Sequence, residues 1–280
     1  MISYEGNVFR PPSEANSLIL QATLGCSWNR CTFCSMYRDK KFRVRSLDDL
    51  KREIQWAKDN IAPVRKVFLA DGDALMAKAS FLEDILDQLA DAFPHLQRVS
   101  VYASPQSLQV RTVEEMTMLR EKGLRLYYVG LESGDDATLL QMDKGVDAKE
   151  WERVAGKAHQ AGVKLSAMIL LGVGGKALSH QHAMHSANLV NAIQPRFLST
   201  LVTTPYPETP LIQQVETGEI SMLSEEELHQ EFTTFLGNLE LHGTIFRSNH
   251  VSNRSVLAGN FPKDKEALLS ALEDSRPQST

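Results

Sequence analysis

Strand-like and helix-like patterns alternate along this chain from end to end. Six apolar, β-forming runs lie at about residues 17–24, 64–70, 97–103, 124–131, 163–171 and 196–203. Between them, apolar residues recur every three or four positions, which is typical of amphipathic helices. Six consecutive β-α units require parallel strands joined by helical crossovers. The sequence therefore predicts an α/β fold, and both an open, three-quarter barrel and a doubly wound sheet fit six repeats.

Three helix starts carry a serine followed three residues later by an acidic residue, which is the spacing of a capping box. These pairs are Ser46 with Asp49, Ser80 with Glu83, and Ser224 with Glu227. Helical patterns also cover residues 111–122, 147–161, 178–193 and 222–240. The last of them places Leu228, Phe232, Phe235 and Leu239 on one apolar stripe.

Charge and hydropathy exclude several classes of protein. The chain has 280 residues and a formal net charge of −5, from 30 basic and 35 acidic side chains. This balance argues against a protein that coats nucleic acid. No apolar run approaches the roughly 18 residues that a membrane helix needs, and the first residues lack the pattern of a signal peptide. We therefore expect a cytoplasmic protein that binds neither membranes nor nucleic acid.

All three cysteines, Cys26, Cys31 and Cys34, lie in one short loop directly after the first predicted strand. An odd number of cysteines in such a chain is unlike a disulfide framework. Three thiolates can ligate three irons of a [4Fe–4S] cluster and leave the fourth iron open to another ligand. Zinc is the main alternative and would need a remote histidine, and unligated surface thiols are a further one.

In either predicted architecture, ligands bind at the carboxyl ends of the strands. The loops that follow the predicted strands span about residues 25–45, 70–78, 103–108, 131–146, 171–177 and 203–211. These loops contain nearly all the unusual residues of the chain.

Motifs in these loops resemble those of radical S-adenosylmethionine (SAM) enzymes. The segment 26–34, Cys-x4-Cys-x-Phe-Cys, resembles their cluster loop, with one residue more than usual between the first two cysteines. Residues 70–73 are similar to their Gly-Gly-Glu-like turn, with the first glycine replaced. Residues 130–134 and 139–145 resemble a signature of oxygen-independent coproporphyrinogen oxidases and of Elp3-like and MiaB-like enzymes. Residues 171–175 resemble the glycine turn beside the adenine, and the whole resemblance covers about residues 17–211.

The resemblance implies two cofactors, an oxygen-sensitive [4Fe–4S] cluster and SAM, with Cys26, Cys31 and Cys34 as the cluster ligands. In such enzymes the open iron chelates SAM, and one electron cleaves it to methionine and a 5′-deoxyadenosyl radical that abstracts hydrogen from the substrate. An electron donor such as flavodoxin or ferredoxin is implied as a partner. The cofactor supplies this chemistry, and the protein supplies position, polarity and exclusion of water.

The same resemblance assigns SAM-binding roles to residues at the strand ends. Asp71 and Asp73 would receive the SAM ammonium group, with a plain Asx turn as the alternative. Glu132 would bind ribose hydroxyls or the amine, and Lys144 would pair with it or with the SAM carboxylate; a structural ion pair is the alternative. The candidate SAM-binding residues are Phe33, Ala70, Asp71, Gly72, Asp73, Ser104, Glu132, Ser133, Lys144, Gly172 and Gly174.

Three histidines, His180, His182 and His185, cluster at the start of the predicted helix 178–193. Two of them have the spacing of metal ligands on one helix face. Because no acidic residue stands in register with them, we expect a solvated helix face.

A polar stretch at residues 244–253 lies outside the SAM motifs, and its composition is unlike a core strand. Its candidate substrate-pocket residues are Arg247, Asn249, His250 and Asn253. Arg247 would meet an anionic group, and the alternative is a hydrogen-bonded polar cap that closes the open barrel. With only three cysteines, a second cluster is not expected, and a small-molecule substrate is favoured over tRNA.

We therefore predict the α/β fold of a partial (β/α)6 TIM-like barrel with a parallel sheet and a short C-terminal extension. Residues 1–275 would form one radical SAM core domain, with the barrel at about 17–211 and a helical or capping extension at about 212–275. The predicted function is a radical SAM enzyme that acts on an unidentified small molecule. The alternative is a non-catalytic iron–sulfur or zinc-binding protein that acts through a partner.

Overall fold

A computed structural model describes residues 1–61 and 63–276 of the chain. Its strands are β1 (Leu18–Gln21), β2 (Thr23–Leu24), β3 (Arg43–Val44), β4 (Lys66–Ala70), β5 (Arg98–Tyr102), β6 (Leu124–Glu132), β7 (Lys164–Leu171), β8 (Phe197–Val202), β9 (Ile245–Arg247) and β10 (Ala258–Asn260). Its α-helices are α1 (Leu47–Asn60), α2 (Ala79–Ala92), α3 (Pro105–Val110), α4 (Val113–Glu121), α5 (Asp136–Gln141), α6 (Ala148–Gln160), α7 (Gly175–Ile193), α8 (Pro210–Glu216), α9 (Glu225–Gly237) and α10 (Lys265–Asp274). All six predicted strands are present.

The described chain divides into two compact units, each built from three segments. Unit 1 contains Met1–Asn29, Met36–Val129 and Val154–Leu165, and unit 2 contains Arg30–Ser35, Gly130–Arg153 and the chain from Ser166 onward. Neither unit is therefore a continuous stretch of sequence.

Unit 1 is a parallel α/β unit. Strand β1 pairs with β4, β4 with β5, and β5 with β6, all in parallel, while the short β2 and β3 pair antiparallel. The rings of Phe68, Tyr102 and Tyr128, from three neighbouring strands, pack edge to face with centroids 5.0 to 6.1 Å apart. Burial of these apolar rings and of the α1 residues Leu50 and Ile54 stabilises the unit.

Unit 2 is also α/β, and it contains two strands that the sequence did not predict, β9 and β10. Strand β7 pairs with β8, and β8 with β9, in parallel, and β10 pairs antiparallel with β9. The expectation that the polar stretch 244–253 is unlike a core strand was wrong for β9. Because side chains alternate across a strand, Phe246 is fully buried against Phe232 and Phe261 while Arg247 is exposed. The fold class is thus α/β with mostly parallel strands, as predicted.

The predicted helix starts agree with the structure less well than the predicted strands do. Ser224 and Glu227 form the predicted capping box at the start of α9. Ser46 precedes α1 but makes no side-chain bond to it, and Ser80 lies inside α2, so these two predictions were wrong. The helix predicted at 111–122 is present as α4, which Thr112 caps, and α3 lies before it in a segment predicted as a loop. No helix in the described ranges is long and apolar enough to cross a membrane.

Candidate functional site

In unit 1, the turn after β4 places a buried carboxylate with one unsatisfied oxygen. Asp71 is fully buried, and its Oδ2 accepts hydrogen bonds from Gln21 Nε2 at 3.0 Å, the Gly25 amide at 3.1 Å and Lys40 Nζ at 2.8 Å. Its Oδ1 has no hydrogen-bond partner among the residues that the structure describes. A buried polar atom without a partner is costly, so Asp71 retains the capacity to accept a bond from a ligand.

The second aspartate of this turn, Asp73, is fully satisfied by serines. Its Oδ1 accepts from the Ser104 amide at 3.1 Å, and its Oδ2 accepts from Ser104 Oγ at 2.6 Å and from Ser27 Oγ. Burial raises the pKa of Asp73 above its ordinary value, against the lowering effect of these hydrogen bonds. Two candidates from different loops, Asp73 and Ser104, are thus in contact.

Gly72 is required by the packing of the turn after β4. A Cβ atom at this position would lie 2.5 Å from Cε2 of Tyr37, which is closer than real Cβ atoms come. The Gly72 amide donates to the Gly25 carbonyl at 3.1 Å, and Ala70 ends β4 in a fully buried position. The predicted turn residues 70–73 therefore form a rigid, closely packed corner.

The cysteine loop belongs to both units: Cys26 lies in unit 1, whereas Cys31 and Cys34 lie in unit 2. All three thiols are partly exposed. In unit 2 the Cys34 amide donates to the Cys31 carbonyl at 3.2 Å, and Thr32 anchors the turn through the Met142 carbonyl at 2.9 Å and the Leu211 amide at 3.1 Å.

These thiols fit an iron–sulfur cluster by the chemistry of the donor set. Thiolates are the soft ligands that iron–sulfur clusters take. In the described part of the chain, no three His, Cys, Asp or Glu side chains converge as ligands of one metal ion. A cluster does not require such convergence, because each cysteine binds a different iron.

At the end of β6 in unit 2, a buried ion pair lies beside the cysteine turn. Lys144 Nζ is 3.1 Å from Glu132 Oε1, which is one of the two partners considered for it, and 5.9 Å from the centre of the Phe33 ring. Glu132 Oε2 is buried without a partner among the described residues. A side chain at Gly130 would collide with Glu132 Oε1, so this glycine makes room for the carboxylate.

The turn after β7 is held by a residue that sequence reasoning missed. The Gly172 amide donates to Glu231 Oε1 of α9 at 2.6 Å, and Ser179 Oγ donates to Glu231 Oε2 at 2.6 Å. Burial raises the pKa of Glu231 to about 7. The sequence carried a signal, since Glu231 lies three residues after Leu228 and four before Phe235, on the apolar stripe of α9.

The prediction of a solvated histidine face was wrong for His182, whereas His180 and His185 are exposed. His182 is 1% exposed, and its Nδ1 is hydrogen-bonded to Ser133 Oγ at 2.7 Å. Burial lowers the pKa of His182 to about 4. His185 Nδ1 pairs with Asp135 at 2.8 Å. The acidic partners exist, but they come from other elements than the helix itself, so helical register did not reveal them.

The candidate substrate residues of unit 2 are tied mainly to backbone. Arg247 Nη1 donates to the Phe246 carbonyl at 2.6 Å and to the Gly259 carbonyl at 3.3 Å. Asn253 Nδ2 donates to the Thr200 and Ser248 carbonyls, and His250 is hydrogen-bonded to Ser252. Asn249 is exposed.

Comparisons with known proteins point to one family. The sequence model of the radical SAM superfamily matches residues 20–187, more than half of the chain. Coproporphyrinogen III oxidase (HemN) from Escherichia coli has a similar fold, with a TM-score of 0.61 and 16% identity over 79% of this chain and 52% of that one. The methyltransferase TsrM from Kitasatospora setae, solved with cobalamin and a [4Fe–4S] cluster, gives a TM-score of 0.59 and 17% identity over 72% of this chain and 39% of that one.

Methylornithine synthase (PylB) gives a TM-score of 0.55 and 16% identity over 94% of this chain and 83% of that one. These likenesses show the fold, which is α/β with mostly parallel strands, and the chain spans about half or less of the length of HemN and TsrM. No curated protein sequence matches the chain.

The region matched by the family model runs from β1 into α7. It includes the cysteine loop and the strand ends that carry Asp71, Glu132 and Gly172. Members of this family are enzymes that use SAM together with a [4Fe–4S] cluster. The chain therefore belongs to the radical SAM superfamily, and it is an enzyme whose cofactors are SAM and a [4Fe–4S] cluster.

Proposed function

We propose that this enzyme cleaves SAM reductively and uses the 5′-deoxyadenosyl radical to abstract hydrogen from a small-molecule substrate, with Cys26, Cys31 and Cys34 as cluster ligands. One observation in unit 2 carries the proposal. The turn that contains Cys31 and Cys34 lies beside a buried Glu132–Lys144 pair, with the Phe33 ring 5.9 Å from Lys144 Nζ. When bound, the cluster supplies the electron for SAM cleavage. The chain's own residues bind, orient and shield the reactants.

Glu132 binds a donor group of SAM in this proposal. Its Oε2 is buried without a partner among the described residues, so a ribose hydroxyl or an ammonium group that donates to it removes a desolvation cost. Glu132 also has a φ of +65°, a region that residues other than glycine rarely adopt and that is typical of functional sites. Lys144 balances the charge of the carboxylate from the other side.

Asp71 is favoured over Asp73 as the acceptor of the SAM ammonium group. Asp71 Oδ1 has no partner among the described residues, whereas both oxygens of Asp73 already accept hydrogen bonds from serines. We therefore assign Asp73, Gly72 and Ser104 to building the turn.

The adenosine half of SAM is assigned to the turns of unit 2 that carry Ser133, Gly172 and Gly174. Gly172 has a φ of +79°, a region that glycine adopts readily, and Gly174 lies two residues later, immediately before α7. This assignment has the support of the family resemblance at residues 171–175.

The substrate side of the proposal rests on charge. Arg247 is exposed on β9, and its bonds to two carbonyls fix the guanidinium, which suits a carboxylate or phosphate of the substrate. Asn249, His250 and Asn253 would complete that pocket. We further propose a cytoplasmic enzyme with a single core domain at 1–275, reduced by a donor such as flavodoxin or ferredoxin.

Anaerobic reconstitution with iron and sulfide tests the proposed function. Iron per chain is measured first, and then 5′-deoxyadenosine after addition of SAM and dithionite. We expect about four irons and 5′-deoxyadenosine in the wild type, and loss of both in Cys31→Ser. Ser35→Ala, which changes a residue of the same loop without a thiol, should behave like the wild type.

Two outcomes would contradict the proposal. Retention of zinc without cluster formation would favour the alternative of a metal-binding protein that acts through a partner. Normal 5′-deoxyadenosine formation in Cys31→Ser would exclude this cysteine as a cluster ligand.

A further inference from the structure

Two strand-end turns of unit 2 are connected by a buried series of polar contacts. The first turn follows β6 and carries Ser133, whose Oγ is hydrogen-bonded to His182 Nδ1 at 2.7 Å. The second follows β7 and carries Gly172, whose amide donates to Glu231 Oε1 at 2.6 Å. His182 belongs to α7, and Ser179, one turn earlier on α7, donates to the other oxygen of Glu231. Both turns are therefore anchored to α7, the first through His182 and the second through Glu231 of α9.

The Gly172 end of this series has little freedom to adjust. Its φ of +79° is rarely adopted by side-chain-bearing residues, and a Cβ atom would lie 2.9 Å from Leu228 Cδ2. Glu231 uses one oxygen for the Gly172 amide and the other for Ser179 Oγ of α7, at 2.6 Å. Because a single carboxylate bonds both, it fixes the separation between the turn and the helix.

At the His182 end, the position of the proton on the imidazole ring sets the direction of each hydrogen bond. His182 is hydrogen-bonded to the Leu170 backbone, and burial lowers its pKa to about 4, so the ring is neutral near pH 7 with one donor and one acceptor. Since Nδ1 contacts Ser133, Nε2 donates to Leu170 and Nδ1 accepts from the Ser133 hydroxyl. The Ser133 hydroxyl also accepts from the Asp135 amide at 3.0 Å, which closes the turn.

We infer that Glu231 is a positioning residue for SAM, which holds the turns at Ser133 and Gly172 at the spacing that the adenosine half of SAM requires. This inference rests on the proposed function, which assigns these turns to SAM. It assigns α9 a role in SAM binding, although α9 lies beyond residue 211, where the resemblance to the family's motifs ends.

The cost of burying Glu231 is consistent with a positioning role. A carboxylate that is 2% exposed is costly to bury, and burial raises its pKa to about 7. Leucine of similar size would fill the same space without that cost, but it would leave the Gly172 amide without an acceptor. The polar residue therefore serves the geometry of the turn.

The test measures SAM affinity by titration calorimetry on the anaerobically reconstituted holoenzyme without reductant. Glu231→Leu removes both acceptor oxygens, and we expect the Kd for SAM to rise about tenfold or more. The rate of 5′-deoxyadenosine formation at saturating SAM should stay within about twofold. Glu231→Gln keeps an acceptor for the Gly172 amide and should recover most of the affinity. Gln230→Ala, on the exposed side of α9, is the matched control and should bind SAM like the wild type.

Wild-type affinity in Glu231→Leu would overturn this inference alone. A loss of affinity that Glu231→Gln does not recover would show a merely structural role. If Glu231→Leu does not fold, His182→Leu removes the anchor of the Ser133 turn on α7, and wild-type affinity there would also overturn the inference. A wild-type chain that loads the cluster but binds no SAM would overturn the proposed function together with it.

Discussion

At the scale of single residues, two buried ionisable side chains, His182 and Glu231, have pKa values far from their ordinary ones. The pKa of His182 falls from 6.5 to about 4, so between these pH values only the unfolded chain is protonated there, and the free energy of unfolding rises with pH. The pKa of Glu231 rises from 4.5 to about 7, so the folded chain is the protonated one, and the free energy of unfolding falls with pH. In the overlap, about pH 4.5 to 6.5, the two contributions oppose each other.

Replacing Glu231 by glutamine should remove the Glu231 contribution to the pH dependence of the free energy of unfolding and leave that of His182. Relative to the wild type, the free energy of unfolding of Glu231→Gln should increase by about 2 kcal/mol between about pH 5 and about pH 6.5, since one proton contributes about 1.4 kcal/mol per pH unit. Urea denaturation at the two pH values measures this difference. Gln230→Ala should follow the wild type, and parallel curves for Glu231→Gln and the wild type would contradict the raised pKa of Glu231.

At the scale of elements, two helices with the same serine–acid spacing begin differently. Ser224 Oγ accepts from the Glu227 amide at 3.3 Å, and Glu227 Oε2 accepts from the Ser224 amide at 2.7 Å. Before α1, Ser46 makes no such bond, and Asp49 pairs with Arg52 instead. The shorter aspartate has one methylene less with which to reach back to the serine amide, so the capping box forms only with glutamate at this position.

The two serines should therefore differ in what their removal costs. We expect Ser224→Ala to lower the free energy of unfolding by about 1 kcal/mol, and Ser46→Ala by less than about 0.5 kcal/mol. Chemical denaturation of both variants beside the wild type measures the difference. Equal losses would show that the hydrogen bonds of the Ser224 box contribute nothing to stability.

At the scale of the whole molecule, cofactor binding and folding are linked. Each unit is assembled from three separate stretches of the chain, so a ligand that requires the folded chain stabilises segments that are distant in sequence. SAM at about a hundred times its Kd should add about 2.7 kcal/mol, which raises the melting midpoint by about 5 to 10 °C in a chain of this size. Anaerobic thermal melts of reconstituted wild type and Cys31→Ser, with and without SAM, measure the shift. A shift of the same size in Cys31→Ser would separate SAM binding from the cluster.

The sequence by itself determined the features that depend on neighbours along the chain. Strand and helix periodicity predicted all six core strands and the α/β class, because burial on one face imposes its period locally. The spacing of Cys26, Cys31 and Cys34, and the Glu132–Lys144 contact twelve residues apart, were also readable from the sequence.

Only the tertiary structure decided which polar groups are satisfied. It showed that Asp71 keeps an oxygen without a described partner while Asp73 does not. It also placed His182 and Glu231 in the interior, through contacts between residues about fifty positions apart. Such contacts produce no periodic pattern in the sequence, because a hydrogen bond between two distant segments constrains only one residue in each segment. Local patterns therefore indicated the kind of chemistry, whereas the arrangement of the strand-end turns depends on partners that come together only on folding.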